Sequence, residues 1–389
     1  MKQAPNLLDV SNSITRKIKH DYDRLLEMPA LSITRLLSSP GVSLAGFSRG
    51  FTPHPRLADL KADANAFIDG YHQWLDPIRP FVNCAGYLFP GALYDRLLLM
   101  TNSLSIGFYL NDVMGRDVFP NLSIDDQQAA MRLIDNMSLV TEDLDLSSDA
   151  HPLEIANTRI LEVFKEQSPD EWFSRWLKLF CYHLSITHRD RNARALGYIP
   201  GVHEYMDVRC HYAAVHHLIL WVEYCTDNYV DWRFLTRTNL LQKMERLHWT
   251  TAAFPALAND LFSFEQEVID NQCDSNLIMV ILLNHPEWPL GRAIEAAAEI
   301  VQNILFEQQA LTQELRVEID NYPPSLSAEK EKLIRHLDDL MSFTKASWLW
   351  QFGTKRYKRP KTIWLETALS KVPTGEDRGE ASPTKANGH

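Results

Sequence analysis

Glycine is scarce in this chain, at 15 of 389 residues, and neither a β-hairpin signature nor an internal repeat is found. These absences disfavour strands, which need frequent turns between them. Long segments instead repeat apolar residues at spacings of three and four, the period of an amphipathic helix. The sequence therefore predicts an all-α fold.

An excess of positive charge is also missing. The 39 Lys and Arg residues face 50 Asp and Glu residues, which gives a formal net charge of -11. A nucleic-acid-binding surface needs the opposite balance, and an anionic substrate would be repelled unless cations were placed close to it. We therefore expect no nucleic-acid partner, and local cations wherever an anion binds.

Paired cysteines and long apolar runs are absent as well. The five cysteines show no CxxC pair and are scattered in apolar segments, as Cys84, Cys181, Cys210, Cys225 and Cys273. This usage is typical of reduced core residues in a cytoplasmic protein. No stretch approaches the ~20 apolar residues that a membrane-spanning helix needs, and the start lacks a signal-peptide core. No stable membrane insertion is expected.

The apolar periodicity, with prolines between the periodic segments, predicts where the helices lie. They are residues 57–77, 91–112, 123–145, 152–166, 169–195, 203–225, 235–269, 275–284, 288–320 and 327–352. Residues 1–50 form a predicted N-terminal extension, amphipathic between Ile14 and Leu26, and residues 51–370 form the predicted helical domain. Residues 371–389 form a predicted disordered tail, because the sequence from Pro373 onward lacks large apolar side chains.

A row of oxygen-bearing side chains stands at four-residue intervals in an apolar, helix-compatible segment: Asn259, Ser263 and Glu267. In a helix of roughly 3.6 residues per turn, each step of four rotates the side chain by about 40° and advances it about 6 Å, so the three share one slanted face. An amide, a hydroxyl and a carboxylate suit a hard cation such as Mg²⁺. The alternative is a polar stripe facing solvent, but the flanking Ala, Leu and Phe residues argue against it.

A second candidate site comes earlier in the chain. Apolar residues lead to Asn111 and Asp112, and the chain then turns at Gly115 toward Asp117. An ordinary acidic helix end is the alternative interpretation. A carboxylate at a helix C-terminus is unfavourable beside the negative end of the helix dipole, and a bound metal would explain its position. These three oxygen-bearing residues are therefore candidate metal ligands.

The two sites, in this order and at this separation, resemble those of the class I terpene synthases, in the microbial terpene cyclase branch. That family carries an Asp-rich motif and, downstream, a triad of the form ND(L/I/V)x(S/T)xxxE. Residues 259–267 match the triad at every defined position. Asp112 and Asp117 match the Asp-rich motif, but Asn111 replaces its usual leading Asp, so either Asn111 or Asp112 is the principal ligand. Gln266 replaces the Lys of many relatives.

A segment between the two sites extends this resemblance. Residues 204–209 look like the family segment that supplies a diphosphate-sensing arginine, a role that the resemblance gives to Arg209. Tyr212 and Ala213 follow where the family places residues on a broken helix. The resemblance therefore implies that Arg209 contacts the substrate and that Tyr212 and Ala213 line the pocket.

A second segment lies near the end of the resemblance, which runs from about Phe51 to Pro360. Residues 350–357 fit the family ending W-x3-T-x-R-Y. By resemblance, Arg356 and Tyr357 bind the diphosphate group. Arginine suits this contact because its planar fork matches two phosphate oxygens at once.

The resemblance implies a single class I terpenoid synthase-like helical bundle with a central active-site cavity. It implies a Mg²⁺-dependent terpene cyclase that holds three Mg²⁺ ions and ionises a linear allylic prenyl diphosphate. The carbocation would cyclise to a sesquiterpene or diterpene hydrocarbon or alcohol. The residues expected to carry catalysis are Asp112, Arg209, Asn259, Ser263 and Glu267. A homodimer is the assembly that the resemblance suggests.

A carbocation needs a dry, apolar pocket with aromatic faces. The aromatic residues that flank the motifs are Phe81, Phe108, Tyr109 and Trp350, and the resemblance adds Tyr212. Small residues near the expected pocket, Ser105, Gly107 and Ala213, would admit the C20 chain of geranylgeranyl diphosphate, whereas the family more often uses farnesyl diphosphate. Both substrates are kept as predictions.

Two other functions remain open at this point. A chain-elongating prenyltransferase shares the fold and the use of Mg²⁺, but it normally carries two Asp-rich motifs. A noncatalytic helical scaffold with a decayed site is supported by Asn111 and Gln266, and opposed by the complete triad. Turnover of prenyl diphosphates with and without Mg²⁺ distinguishes the three.

Overall fold

The structure, a computed structural model, describes residues 7–39, 43–47, 49–115, 118–187 and 189–369. In these ranges its α-helices are α1 (Leu7–Leu26), α2 (Ile33–Leu37), α3 (Leu57–Gly70), α4 (His72–Leu75), α5 (Cys84–Leu88), α6 (Tyr94–Met114), α7 (Ile124–Ser138), α8 (Pro152–Glu166), α9 (Asp170–Thr187), α10 (Ala193–Leu196), α11 (Val202–Tyr212), α12 (Val215–Thr226), α13 (Trp232–Arg237), α14 (Leu241–Phe264), α15 (Leu277–Asn284), α16 (Leu290–Asp320) and α17 (Ser327–Gly353). The predicted tail, residues 371–389, lies outside the described residues.

Shorter helical segments complete the described chain. They are the 3₁₀ helices Leu44–Gly46, Asp76–Phe81, Phe119–Asn121, Pro324–Leu326 and Lys355–Tyr357, and the π-helix Glu265–Asp270. Within the described ranges there is no β-strand, and two isolated bridges, Leu31 with Trp364 and Arg359 with Ala368, are the extended pairings found. The predicted all-α fold is confirmed.

Helix α14 lies at the centre of the bundle. It packs against α11, α12, α16 and α17, and every residue from Thr250 to Ala258 is buried. A helix that is apolar on all sides is stable only when other helices surround it. The central position of α14 explains how Asn259 and Ser263 can face an interior cavity.

Two predicted helices are interrupted in the structure. The predicted helix 203–225 is two helices, α11 and α12, separated at Ala213 and Ala214, where Ala214 has a φ of 69°. The predicted helix 235–269 is α13, α14 and a final π-helix. Apolar periodicity continues across these breaks, because one or two residues of irregular backbone hardly change the spacing.

Three more predicted helices are shorter than expected. The predicted helix 57–77 is α3, which ends at Gly70, followed by the separate helix α4; 123–145 ends as α7 at Ser138, and 169–195 ends as α9 at Thr187. The last of these is followed by the separate helix α10. Helix ends depend on local hydrogen bonding that a hydrophobic period does not encode.

The first described helix is packed against the bundle. Helix α1 contacts α10, α15 and α16, and its Ile14, Ile18 and Tyr22 side chains are buried. None of the helices in the described part of the chain combines the length and apolar composition needed to cross a membrane. Residues 13–26 therefore bury an apolar face against other helices of the same chain.

Candidate active site

The candidate metal-binding row lies in the interior of the bundle. Asn259 and Ser263 belong to α14, and Glu267 to the π-helix that follows it. Ser263 and Glu267 are only 3% and 7% exposed, and Asn259 is half-buried. The Ser263 hydroxyl donates to the Asn259 backbone carbonyl (2.8 Å), and Asn276 Nδ2 donates to Glu267 Oε2 (2.9 Å). The row is therefore not a solvent-facing stripe.

The backbone changes its hydrogen-bond pattern within this row. The prediction of one regular helix through Glu267 is wrong from Glu265 onward, because residues Glu265–Asp270 form a π-helix. A π-helix pairs each N–H with the carbonyl five residues earlier, and such turns occur often at functional sites. The steps from Asn259 to Ser263 and from Ser263 to Glu267 are therefore not equivalent.

Arg209, on α11, is fixed against the row by a buried ion pair. Its Nε donates to Asp260 Oδ1 (2.7 Å) and its Nη2 to Asn259 Oδ1 (2.9 Å), while the Arg209 and Asp260 side chains are 4% and 0% exposed. The other Asp260 oxygen accepts hydrogen bonds from Tyr205 Oη (2.6 Å) and Leu277 N (2.9 Å). A buried ion pair is stable only when its remaining polar atoms are paired in this way.

Sequence reasoning assigned no function to Asp260. The structure shows that it positions Arg209 and does not face the cavity. A helical residue adjacent to Asn259 is rotated by about 100° from it, which is the signal that could have indicated a different partner. Asp260 therefore contributes to the site indirectly, by holding Arg209 in position.

Arg356 and Asp112 form a second ion pair at the cavity. Arg356 Nη1 and Nη2 donate to the two Asp112 oxygens at 2.6 and 2.5 Å, and the guanidinium lies 5.3 Å from the Phe81 ring centroid. Burial opposes the charge of the Arg356 guanidinium, but Tyr357 and Asp112 outweigh it and raise the pKa of Arg356. Arg356 is therefore a permanent cation here. Asn111 is exposed and donates from Nδ2 to Asp112 Oδ1 (2.9 Å).

The side-chain amide of Asn259 connects Arg209 with Tyr357. Asn259 accepts from Arg209 through Oδ1 and donates from Nδ2 to Tyr357 Oη (2.6 Å). Burial raises the pKa of the Tyr357 phenol, which therefore stays protonated at neutral pH. The structure thus joins Arg209, Asn259 and Tyr357 in one chain of hydrogen bonds. The sequence predicted that the three residues share a site, but it did not predict these hydrogen bonds.

These residues open onto one cavity of about 220 Å³. The predicted site residues on its wall are Asn111, Arg209, Asn259, Ser263, Glu267, Arg356 and Tyr357, together with Phe108, Tyr212, Ala213 and Trp350. Asp112 reaches the cavity through its ion pair with Arg356. Asp117 lies outside the described residues.

Two predicted wall residues are placed elsewhere. Phe81 is not on the cavity wall: its ring contacts that of the wall residue Phe108 (centroids 5.6 Å apart), and Phe108 in turn packs on Trp350 (6.0 Å). Tyr109 is also absent from the wall, since it follows Phe108 on the same helix and points in a different direction. Of the predicted small residues, Gly107 and Ala213 line the cavity and Ser105 does not.

Two wall residues that the sequence did not single out are His183 and His217. Their rings lie 4.9 Å apart, and both side chains are more than nine-tenths buried. Burial lowers the pKa of His183 to about 4 and the pKa of His217 well below its ordinary value. Both imidazoles are therefore neutral at pH 7. A histidine in an apolar helix is usually a core residue, so their spacing gave no signal.

Hydrogen bonding fixes the form of His183. Its Nδ1 lies 3.0 Å from the His211 backbone carbonyl, which can only accept, and 2.8 Å from Thr187 Oγ1, whose proton is donated to the His183 carbonyl (2.6 Å). This arrangement favours the proton on Nδ1 and the lone pair on Nε2. Nδ1 of His217 has no hydrogen-bond partner among the described residues. The cavity wall therefore carries basic nitrogen atoms within an otherwise largely apolar lining.

The oxygen donors fit a divalent metal such as Mg²⁺. Among the described residues, no group of three or more His, Cys, Asp and Glu side chains is arranged to hold a metal. The candidate row instead supplies one carboxylate, one amide and one hydroxyl, a donor set that leaves coordination positions for water and phosphate oxygens. This matches the way Mg²⁺ is usually bound together with a phosphorylated substrate.

A helical bundle with two polar motifs at one end of an apolar cavity is the architecture of a class I terpene synthase. The chain belongs to that class by sequence: residues 103–307 match the family described as terpene synthase family 2, C-terminal metal binding, and the chain is a member of it. The protein is therefore a terpene synthase, and the predicted recognition is confirmed.

Two curated relatives are similar over most of the chain. The 10-epi-cubebol synthase of Sorangium cellulosum (strain So ce56) is 21% identical over 317 residues, which cover 79% of this chain and 95% of the relative. Terpene synthase 6 of Dictyostelium discoideum is 22% identical over 289 residues, which cover 73% of this chain and 76% of the relative.

Solved structures share the fold. Germacradien-4-ol synthase from Streptomyces citricolor superimposes with a TM-score of 0.63 at 16% identity and covers 82% of this chain and 99% of its own. The linalool/nerolidol synthase from Streptomyces clavuligerus in complex with 2-fluorogeranyl diphosphate gives a TM-score of 0.62 at 17% identity, and covers 77% and 100%. The predicted class I terpenoid synthase fold is confirmed.

Proposed function

We propose that this terpene synthase ionises farnesyl diphosphate in a Mg²⁺-dependent reaction and cyclises the carbocation to a sesquiterpene. The hydrogen-bonded chain from Arg209 through Asn259 to Tyr357 supports this proposal, because Arg209 and Tyr357, the proposed diphosphate-binding residues, lie beside the candidate metal ligands at one cavity. Geranylgeranyl diphosphate is the longer alternative substrate.

Cavity size supports the shorter substrate. The cavity of about 220 Å³ is small beside the roughly 300–1,000 Å³ of typical ligand pockets. The relatives also include 10-epi-cubebol synthase and germacradien-4-ol synthase, whose names denote products of the sesquiterpene class. Substrate entry enlarges such a pocket only at the cost of moving packed side chains.

The two cationic residues prepare the site for the diphosphate. Arg209 is held rigidly by Asp260, whereas Arg356 is held by Asp112, itself a proposed metal ligand. Phosphate oxygens compete with Asp112 for the fork of Arg356, which frees the Asp112 carboxylate. Asp112, Asn259, Ser263 and Glu267 would then hold Mg²⁺, which when bound supplies positive charge to the leaving diphosphate.

The cavity wall determines what the cation meets after ionisation. Phe108, Tyr212 and Trp350 present aromatic rings that stabilise a passing cation without trapping it. We assign the final proton transfer to the neutral imidazole of His217: the electrons of a C–H bond form the alkene, and a ring nitrogen takes the proton. Released diphosphate is the alternative acceptor.

Incubation with farnesyl and geranylgeranyl diphosphates, each with and without Mg²⁺, tests the proposal. A metal-dependent cyclic product from farnesyl diphosphate, identified by gas chromatography and mass spectrometry, is the expected result. A longer diphosphate formed on addition of isopentenyl diphosphate would support chain elongation instead. Absence of turnover with every substrate would support the noncatalytic scaffold.

A further inference from the structure

Glu265, the first residue of the π-helix, is held by both ends of the described chain. Its Oε1 accepts from Tyr22 Oη (2.7 Å) on α1 and from Ile363 N (2.9 Å), and its Oε2 accepts from Thr362 Oγ1 (2.6 Å). We call Tyr22, Thr362 and Ile363 the terminal clasp. The Glu265 side chain is 1% exposed, so its carboxylate depends on these donors for its hydrogen bonds.

The far end of the same π-helix is held by the same C-terminal segment. Arg359 donates from Nη1 and Nη2 to the two oxygens of Asp270, both at 3.1 Å. The six-residue π-helix is therefore fixed at its first and last residues, on either side of Glu267. A π-helix is a rare and irregular helical form, and contacts from outside can set its geometry.

The N-terminal and C-terminal segments are also joined to each other. Leu31 N donates to the Ile363 carbonyl (2.7 Å), and Leu365 N donates to the Leu31 carbonyl (2.8 Å). The Glu366 carboxylate accepts from Ile33 N and Thr34 N, both at 2.9 Å. The segment that follows α1 and the C-terminal segment that carries Thr362 and Ile363 are therefore hydrogen-bonded to each other as well as to Glu265.

We propose that Glu265 is a positioning residue, through which the terminal clasp sets the place of Glu267 for metal binding. The proposal rests on the function proposed above, because it takes Glu267 as a ligand. In this proposal α1 contributes to metal binding, although the sequence predicted that residues 1–50, which include α1, are an extension outside the catalytic domain. Removing a residue that holds a metal ligand in place by a hydrogen bond commonly lowers the affinity for the metal.

The variant Tyr22→Phe tests this inference with a minimal change. It removes one hydroxyl, while the Ile363 and Thr362 donors to Glu265 remain. We expect the Mg²⁺ concentration for half-maximal turnover to rise roughly tenfold, with kcat at saturating Mg²⁺ changed less than twofold. Titration calorimetry of Mg²⁺ with inorganic diphosphate, without any prenyl substrate, should show the same loss of affinity. Thr362→Val should act in the same direction.

Tyr94→Phe is the matched control. It removes an equally short hydrogen bond from a tyrosine to a carboxylate, Tyr94 Oη to Asp63 Oδ2 (2.6 Å), between α3 and α6. We expect unchanged Mg²⁺ affinity in this variant. A Tyr22→Phe protein that loses thermal stability but keeps wild-type Mg²⁺ binding would show a merely structural role and overturn the inference.

The calorimetric measurement separates this inference from the proposed function. If the wild type turns over no prenyl diphosphate but binds Mg²⁺ and diphosphate in a Tyr22-dependent way, the proposed function fails and the positioning role stands. If the wild type binds no Mg²⁺ in the presence of diphosphate, the positioning role is overturned. If the wild type turns over prenyl diphosphate but neither Tyr22→Phe nor Thr362→Val changes the Mg²⁺ affinity, the proposed function stands and the positioning role of the terminal clasp is rejected.

Discussion

Arg356 and Asp112 share two parallel hydrogen bonds beside the cavity, at 2.6 and 2.5 Å. The pair links the segment after α17 to the last turn of α6. In the proposed mechanism, diphosphate binding would separate Arg356 from Asp112, two groups that already satisfy each other's hydrogen bonds. The energy lost when the bonds to Asp112 break can be regained, because the planar guanidinium of Arg356 can form two parallel hydrogen bonds to phosphate oxygens.

Replacing Arg356 by lysine should show whether that fork matters. We expect Arg356→Lys to lower kcat/KM by roughly 100-fold, because an ammonium group retains the charge but not the two parallel donors. Steady-state kinetics with farnesyl diphosphate measures the effect. The control is Arg246→Lys, which disrupts a bidentate pair with Glu307 at the protein surface and should leave kcat/KM unchanged. Equal activity of Arg356→Lys and wild type would contradict the assignment.

Removing Asp260 should destabilise the protein as well as inactivate it. Asp260→Ala removes the carboxylate that pairs with the buried guanidinium of Arg209, and we expect a loss of about 3–5 kcal/mol in the free energy of unfolding. Urea denaturation followed by circular dichroism measures this. Asn259→Ala should cost less stability, since it removes a neutral amide. A small effect of Asp260→Ala on stability would contradict a stabilising role for the ion pair between Asp260 and Arg209.

Ser263→Ala and Glu267→Ala should separate activity from folding. Each removes one oxygen donor of the proposed metal site, and we expect turnover to fall by roughly 100-fold or more. The far-ultraviolet circular dichroism spectrum should remain native, because neither side chain is part of the apolar core. Wild-type turnover in a natively folded Glu267→Ala protein would remove the row from the metal site.

His217→Phe should change which products form more than how fast substrate is consumed. Phenylalanine retains a ring in the cavity wall but has no basic nitrogen, so another acceptor must take the final proton. We expect an altered ratio of products by gas chromatography, with total turnover reduced less than about tenfold. His285→Phe, at an exposed position, is the control. An unchanged product ratio would assign the proton to diphosphate.

Acidification should destabilise the fold through its buried histidines. The pKa of His183 is about 4 in the folded protein, against 6.5 for an ordinary histidine, so the unfolded chain binds more protons between these values. Stability is therefore fully present above pH 6.5 and falls as the pH drops towards 4. For His183 alone the loss is about 2 kcal/mol at pH 5. Urea midpoints at pH 7 and 5 measure it, and His183→Gln should reduce the difference.

Much of the site chemistry was predictable because it depends on residue type and order. The oxygen donors of Asn259, Ser263 and Glu267 and the cations Arg209 and Arg356 were identified from the sequence, and the structure brings all five to one cavity. The roles of these residues in metal and diphosphate binding stay predictions. The longer helices were also predictable, because a long repeat of apolar residues identifies a helix even when its ends are misplaced by a few residues.

The supporting parts of the site were not predictable. The π-helix interrupts the regular spacing without a Gly or Pro to mark it, and the apolar pattern does not change there. Asp260 is a defined position of the triad motif but its partner is not encoded there, and Glu265 resembles an ordinary acid in sequence, yet long-range partners hold each of them. His183 and His217 come from separate helices and become neighbours only when α9 packs on α12. Such relations depend on tertiary contacts rather than on local sequence.

The terminal clasp has a consequence for the order of folding. Tyr22 precedes Glu265 by 243 positions, and Thr362 and Ile363 follow it by 97 and 98. Contacts that close such long loops form late, because the loss of chain entropy must be offset by structure already in place. The π-helix should therefore be among the last parts of the protein to reach its native geometry. Recovery of Mg²⁺ binding during refolding should accordingly lag behind recovery of helical content.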